Sequence, residues 1–148
     1  MPRYDELKKG ARMTNRRMFL SAAAAQALAL GADEQHRVHN GAVSIDETTG
    51  HPFPPGLVRV YLGGRTDQLS ELQTGTWLVK PGMSPHAVHQ HPEEELLIFV
   101  KGTGEITISG AKQPVKPGSM MYCAANTPHG VFNSHDSEML FYFVKWRA

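Results

Sequence analysis

Beginning at Leu57, the sequence breaks into short β-type runs that turn-forming residues close off one after another. The runs cover 57–62, 76–80, 87–91, 95–101, 105–109, 115, 119–123, 129–132 and 139–146. Between them stand Gly63-Gly64, Pro81-Gly82, Gly102-Thr103-Gly104, Ser109-Gly110, Pro117-Gly118 and Asn133-Ser134. Glycine supplies positive φ and proline fixes φ while removing a donor, so such pairs end strands and start turns. Residues 104–110 alternate with period two, Ile106 and Ile108 on one face, Glu105, Thr107 and Ser109 on the other. Only 66–72 has the makings of a short helical turn. Many short strands with regular turns predict an all-β sandwich or barrel, and 148 residues suffice for one such domain.

The first 32 residues have a different character. Asn15-Arg16-Arg17-Met18-Phe19-Leu20-Ser21 precedes an apolar, alanine-rich stretch that ends in small residues. A basic start, a short apolar middle and a small-x-small end (Ala27-Leu28-Ala29) make an export signal. The paired arginines with Phe-Leu two places on resemble the twin-arginine type. The competing reading is an alanine-rich helix that stays on the body, but its apolar residues show no single stripe. The stretch is too short and weak to span a bilayer. The expected layout is therefore an export signal at 1–32, an irregular arm at 33–56 punctuated by Gly and Pro, and a barrel at 57–148. The periplasm or the exterior is the expected place of work.

Charge narrows the partners. The formal net charge of +1 hides an uneven spread, because residues 33–148 carry nine basic side chains against twelve acidic ones. A slightly acidic body without a Lys/Arg stripe argues against nucleic acid and gives no grip on an anionic membrane. The single cysteine, Cys123, lies in an apolar run and reads as a small buried hydrophobe. Residues 140–144, Leu-Phe-Tyr-Phe-Val, are apolar throughout, so both faces of that strand call for cover. The irregular arm and a homodimer interface are equal alternatives.

The chemistry lies in one constellation: His89-Gln90-His91, Glu95 after Pro92, and His129 after the turn Asn126-Thr127-Pro128. On a strand, His-x-His sends both rings to one face. Pro92 bends the chain so that the next strand returns with Glu95 beside them. The expected metal ligands are His89, His91, Glu95 and His129. Three His and one Glu at preset positions arise by chance in roughly one chain in a thousand of this composition. Three neutral imidazoles and a carboxylate suit Fe, Mn, Ni, Cu or Zn rather than Ca or Mg. A structural zinc would close its shell and usually use Cys, so an open working site is expected.

These residues resemble the two motifs of the cupin superfamily. The first runs from Gly82 through His89, His91 and Glu95 to Gly102; the second runs from Gly118 to His129 and Asn133. Three details depart from the pattern: six residues rather than five separate Gly82 from His89, Ala124 stands in place of Pro, and Asn126 in place of Gly. Asn tolerates the left-handed conformation that a turn glycine adopts. The resemblance implies a single cupin-type (double-stranded β-helix) antiparallel barrel with the metal inside, often dimeric.

Neighbouring residues have plainer expectations. His86, out of parity with His89 and His91, is expected at the rim, with a proton shuttle as its sharper, catalytic role. Glu93 and Glu94 are expected as solvated charges, with Glu94 the substitute should Glu95 not ligate. Asn133 is expected to satisfy backbone in a turn. Trp77, Phe99, Tyr122, Phe132 and Phe143 are expected in the barrel lining. The resemblance implies a metal-dependent enzyme acting on a small carboxylate or oxygen-rich molecule, of dioxygenase, decarboxylase or isomerase type. The alternative is a module that binds a metal or small ligand without turnover. Export in the folded state would favour Mn or Fe, loaded where Cu and Zn compete less.

Overall fold

A computed structural model describes residues 37–148. The export segment expected at 1–32 lies outside them. After a short 3-10 turn at Ile45–Glu47, nine strands follow: β1 (Gly50–Phe53), β2 (Gly56–Gly64), β3 (Glu71–Val79), β4 (Glu94–Lys101), β5 (Gly104–Ile108), β6 (Ala111–Val115), β7 (Met120–Cys123), β8 (His129–Phe132) and β9 (Met139–Arg147). All pairings between strands are antiparallel. One sheet has the order β1-β2-β3-β9-β4-β7 and the other β6-β5-β8. The all-β antiparallel architecture expected from the turn spacing is the one observed.

Alternation decides what lies between the sheets. On β9, Met139, Phe141 and Phe143 are buried, while Tyr142 between them is exposed. Their register partners on β4, Phe99 and Leu97, are buried as well. Ile106, Val115 and Val131 enter the same cluster from the small sheet. The core is thus one layer of side chains enclosed by both sheets. Gly75, opposite Phe143 on β3, is required by that packing: a Cβ there would run into the Phe143 ring and the Arg59 carbonyl.

Several expectations change. The 33–56 arm is not irregular throughout, since its end forms β1; Pro52 is tolerated there because β1 is an edge strand. Residues 66–70 form no helix, because Thr66 Oγ1 accepts from the N–H groups of Gln68 and Leu69 and makes a side-chain turn instead. Tyr122 and Phe132 face outward, 53% and 40% exposed, because the inward places on their strands go to Met121, Cys123 and Val131. Phe99 and Phe143 are core, and Trp77 packs against it. Cys123 is buried, as a small hydrophobe should be, and burial pushes its thiol pKa up. Asn126 takes the left-handed conformation, with φ 58°.

The 80–93 connection, which carries His86, His89 and His91, is held by Asn133, a residue with no exposed surface. Its N–H donates to the Met83 carbonyl at 2.9 Å, and its own carbonyl accepts from Gly82 N–H at 3.0 Å. Its Nδ2 donates to the carbonyls of Val79 (3.0 Å) and Ser137 (2.8 Å), and Oδ1 accepts from His135 N–H. One side chain therefore joins the end of β3 to the segment after β8. Replacing Asn133 with Ala removes the three side-chain bonds and strands the buried Val79 carbonyl. The expected loss is about 2–4 kcal/mol of stability, read from urea unfolding midpoints.

Candidate metal centre

His129 is the first residue of β8 and Glu95 the second of β4, whereas His89 and His91 lie on the 80–93 connection. The strand expected at 87–91 is absent; the chain bends there and meets β8 through a single bridge. In that bridge His89 N–H donates to the His129 carbonyl at 3.0 Å, and His129 N–H returns the bond at 2.8 Å. This exchange, rather than strand periodicity alone, sets the two rings side by side, tilted at 50° to each other. Ring centroids lie 4.7 Å apart for His89 and His129, 4.8 Å for His91 and His129, and 5.3 Å for His89 and His91. One ligand atom from each histidine falls within 4.8 Å of the others. The structure brings the three histidines to one point.

Glu95 belongs to the same cluster. Its Oε2 lies 2.8 Å from His129 Nε2 and 3.7 Å from His91 Nε2. The shorter approach is a charge contact when the His129 ring is protonated. Burial alone would raise the Glu95 pKa, but the His129 and His91 rings outweigh it and hold it at about 2. Burial would lower His129; the Glu95 carboxylate and the Thr127 carbonyl together raise it instead. His89 is lowered to about 4, first by burial and then by its histidine neighbours.

Tautomers follow from the outer hydrogen bonds. His129 Nδ1 lies 2.8 Å from the Thr127 carbonyl and His91 Nδ1 lies 3.1 Å from the Glu93 carbonyl. A carbonyl only accepts, so both Nδ1 atoms carry a proton, and in the neutral rings both Nε2 lone pairs are free for a metal. His91 Nε2, His129 Nε2 and His89 Nδ1 are buried without hydrogen-bond partners. Leaving three such atoms unpaired is costly unless an electron-pair acceptor binds them. The donor set therefore fits a divalent metal, held by the three rings with Glu95 in reach.

Two expectations about the acids are corrected. Glu93 is not solvated: it is 6% exposed, and its Oε2 lies 3.2 Å from His91 Nδ1. Pro92 turns the chain so that this side chain folds in behind the His91 ring. The sequence offered little to find it by, since Glu93-Glu94-Glu95 reads as three equal charges. Glu94 faces the other side of β4, where its carboxylate accepts from the Tyr122 hydroxyl at 2.7 Å, so it is no substitute ligand. His86 lies at the rim, half-buried, its ring edge-on to His89 at 3.8 Å between centroids. Burial lowers its pKa.

Comparisons with known proteins agree with this geometry. Residues 75–145 match the family described as Cupin domain. A 5-nitrosalicylic acid 1,2-dioxygenase from Bradyrhizobium sp. is 29% identical over 105 residues, 71% of this chain. The match covers 43% of that protein, so the chain spans less than half of its relative's length. Among solved structures, KdgF from Halomonas sp. superposes with a TM-score of 0.60 at 18% identity, covering 74% of this chain and 96% of that one. An RmlC-like cupin from Shewanella frigidimarina gives 0.59 at 12% identity, covering 74% and 93%. The fold is that of a cupin β-barrel, and the comparisons support the cupin superfamily.

The double substitution His89→Ala/His91→Ala is expected to abolish stoichiometric binding of a divalent metal. Glu93→Gln, which keeps the shape and removes the charge behind His91, is expected to weaken metal affinity about 10–100-fold. Competition titration with a chromogenic chelator measures both. Full metal occupancy in the double variant would refute the ligand assignment.

Proposed function

We propose that this cupin-fold chain is a metal-dependent oxygenase of dioxygenase type, acting on a small aromatic or otherwise oxygen-rich carboxylic acid. The observation that carries the proposal is the convergence of three partnerless imidazole nitrogens beside an ionised Glu95. The similarity to a 5-nitrosalicylic acid 1,2-dioxygenase supports the reaction class, and it covers only part of that protein. His89, His91, His129 and Glu95 would hold the ion. Bound there, a divalent metal would polarise a carboxylate or enolic oxygen and, as iron, would support chemistry with O₂.

The chain's own groups would do the rest. The Thr127 and Glu93 carbonyls hold the His129 and His91 rings in the ligating tautomer, so the site is preorganised. His86, beside His89 at the rim, is placed to carry a proton between solvent and the site. The Arg16-Arg17 motif supports export of the folded protein to the periplasm, and with it Mn or Fe as the resident metal.

The test is elemental analysis of protein exported by its own signal, followed by oxygen-electrode assays of Fe(II)-loaded protein with salicylates, catechols and small dicarboxylates. Oxygen uptake with at least one of these acids is expected, and its loss in His86→Gln with metal retained would support the proton role. Stoichiometric ligand binding with no turnover of any kind would instead favour the binding-module reading.

A homodimer is proposed on separate grounds. On the outer face of the larger sheet, Met120, Tyr122 and Tyr142 are exposed, and register places them beside Leu96 and Ile98. An apolar row this continuous favours a second copy as its cover. Light scattering should give twice the chain mass, and Tyr142→Glu should halve it; a monomeric parent protein would remove the proposal.

A further inference from the structure

The inward face of the larger sheet changes character next to the metal centre. Deeper in, cross-strand partners on that face are Gly75, Phe143, Leu97 and Met121, all buried. One step toward the histidines the partners are Gln73, Lys145, Glu95 and Cys123, on β3, β9, β4 and β7 in turn. Register along β9 is unbroken from Met139 to Arg147, so Lys145 shares the face of Met139, Phe141 and Phe143. An ammonium thus stands on the barrel's interior face, directly across from Glu95.

Opposite charges in that position normally pair. Here they do not: Glu95 is drawn to His129 and His91, and Lys145 makes no ion pair among the described residues. The next cation along, Arg147, is neutralised by Glu71 at 3.0 Å. Lys145 is half-buried. Gln73, on its other side, is 8% exposed, and its amide is a second polar group on the same face. A half-buried ammonium without an ion pair among the described residues and an amide beside it form a recognition surface for an anion. Charge agrees. A divalent ion and Lys145 against Glu95 and Glu93 leave one positive charge, which a monoanion would cancel.

We propose that Lys145, with Gln73 beside it, forms a carboxylate subsite next to the metal centre and selects monoanionic acids over their neutral analogues. This deepens the functional reading above, on which it rests for the presence of the metal. Lys145 is a substrate-binding residue in it, and no chemical step is assigned to its ammonium.

The experiment compares salicylate with salicylamide, which differ in charge and little in shape. Binding to the zinc-loaded full chain, in which no oxygen chemistry intrudes, is measured by calorimetry. The parent protein is expected to bind salicylate at least ten-fold more tightly than salicylamide. Lys145→Met should weaken salicylate ten-fold or more, leave salicylamide within two-fold, and leave zinc affinity within two-fold. Lys145→Arg should retain the preference, and Lys145→Gln replaces the Met variant if that one does not fold. Equal affinities for the two compounds in the parent protein, or an unchanged preference in Lys145→Met, would overturn the proposal. The two readings fail separately. Lys145-dependent salicylate binding without oxygen uptake removes the oxygenase and keeps the subsite; uptake with an unchanged KM in Lys145→Met does the reverse.

Discussion

Two backbone hydrogen bonds, exchanged between His89 and His129 at 3.0 and 2.8 Å, hold the site together. The 80–93 connection has no strand of its own, so this bridge, with the bond from Asn126 N–H to the His91 carbonyl at 2.7 Å, fixes two of the three rings relative to the third. With it, a segment that leaves one sheet is tied to the first residue of a strand in the other. Backbone bonds of this kind do not depend on the side chains' protonation. The rings can therefore be aimed at a common point before any ion arrives.

What surrounds the rings decides their chemistry. Carbonyls of Thr127 and Glu93 take the Nδ1 protons and leave the Nε2 lone pairs bare, while burial strips away the water that would otherwise bind them. Glu95 stays ionised in spite of its burial because two imidazoles lie against it. Glu93 adds a second buried negative charge behind His91. The cluster is thus built for a cation, and Lys145 on the facing strand tips the remaining field toward an anion beside it. Asn133 plays the mechanical part, joining β3, β8 and the histidine-bearing connection through bonds made by one buried residue.

Much of the barrel was legible in the residues. Runs bounded by Gly, Pro and Asn mark eight of the nine strands, because turns demand particular φ values whatever the tertiary context, although β3 begins at Glu71, five residues before its run, and β6 showed only its last residue, Val115. β1 was hidden, since Pro52 and its neighbours read as loop, and only an edge position makes such a strand acceptable. Residues 87–91 erred the other way. Their alternation looks like a strand, but Pro85 and Pro92 on either side and a partner of one residue leave only a bridge. Tyr122 and Phe132 looked like lining because aromatic residues usually are, and the parity of their short strands sends them out.

By itself, the sequence determined the all-β architecture and the residues that meet at the centre, because both follow from local rules: turn chemistry, period two, and ligand types at set intervals. The tertiary structure alone decided which of three consecutive glutamates does what. Glu93 turns in behind a ring, Glu94 turns out to a tyrosine, and Glu95 reaches the centre, according to a bend at Pro92 and the pleat that follows it. It alone also set Lys145 opposite Glu95, fifty residues away in the chain, since strand register is a property of the packed sheets and is written in no single segment.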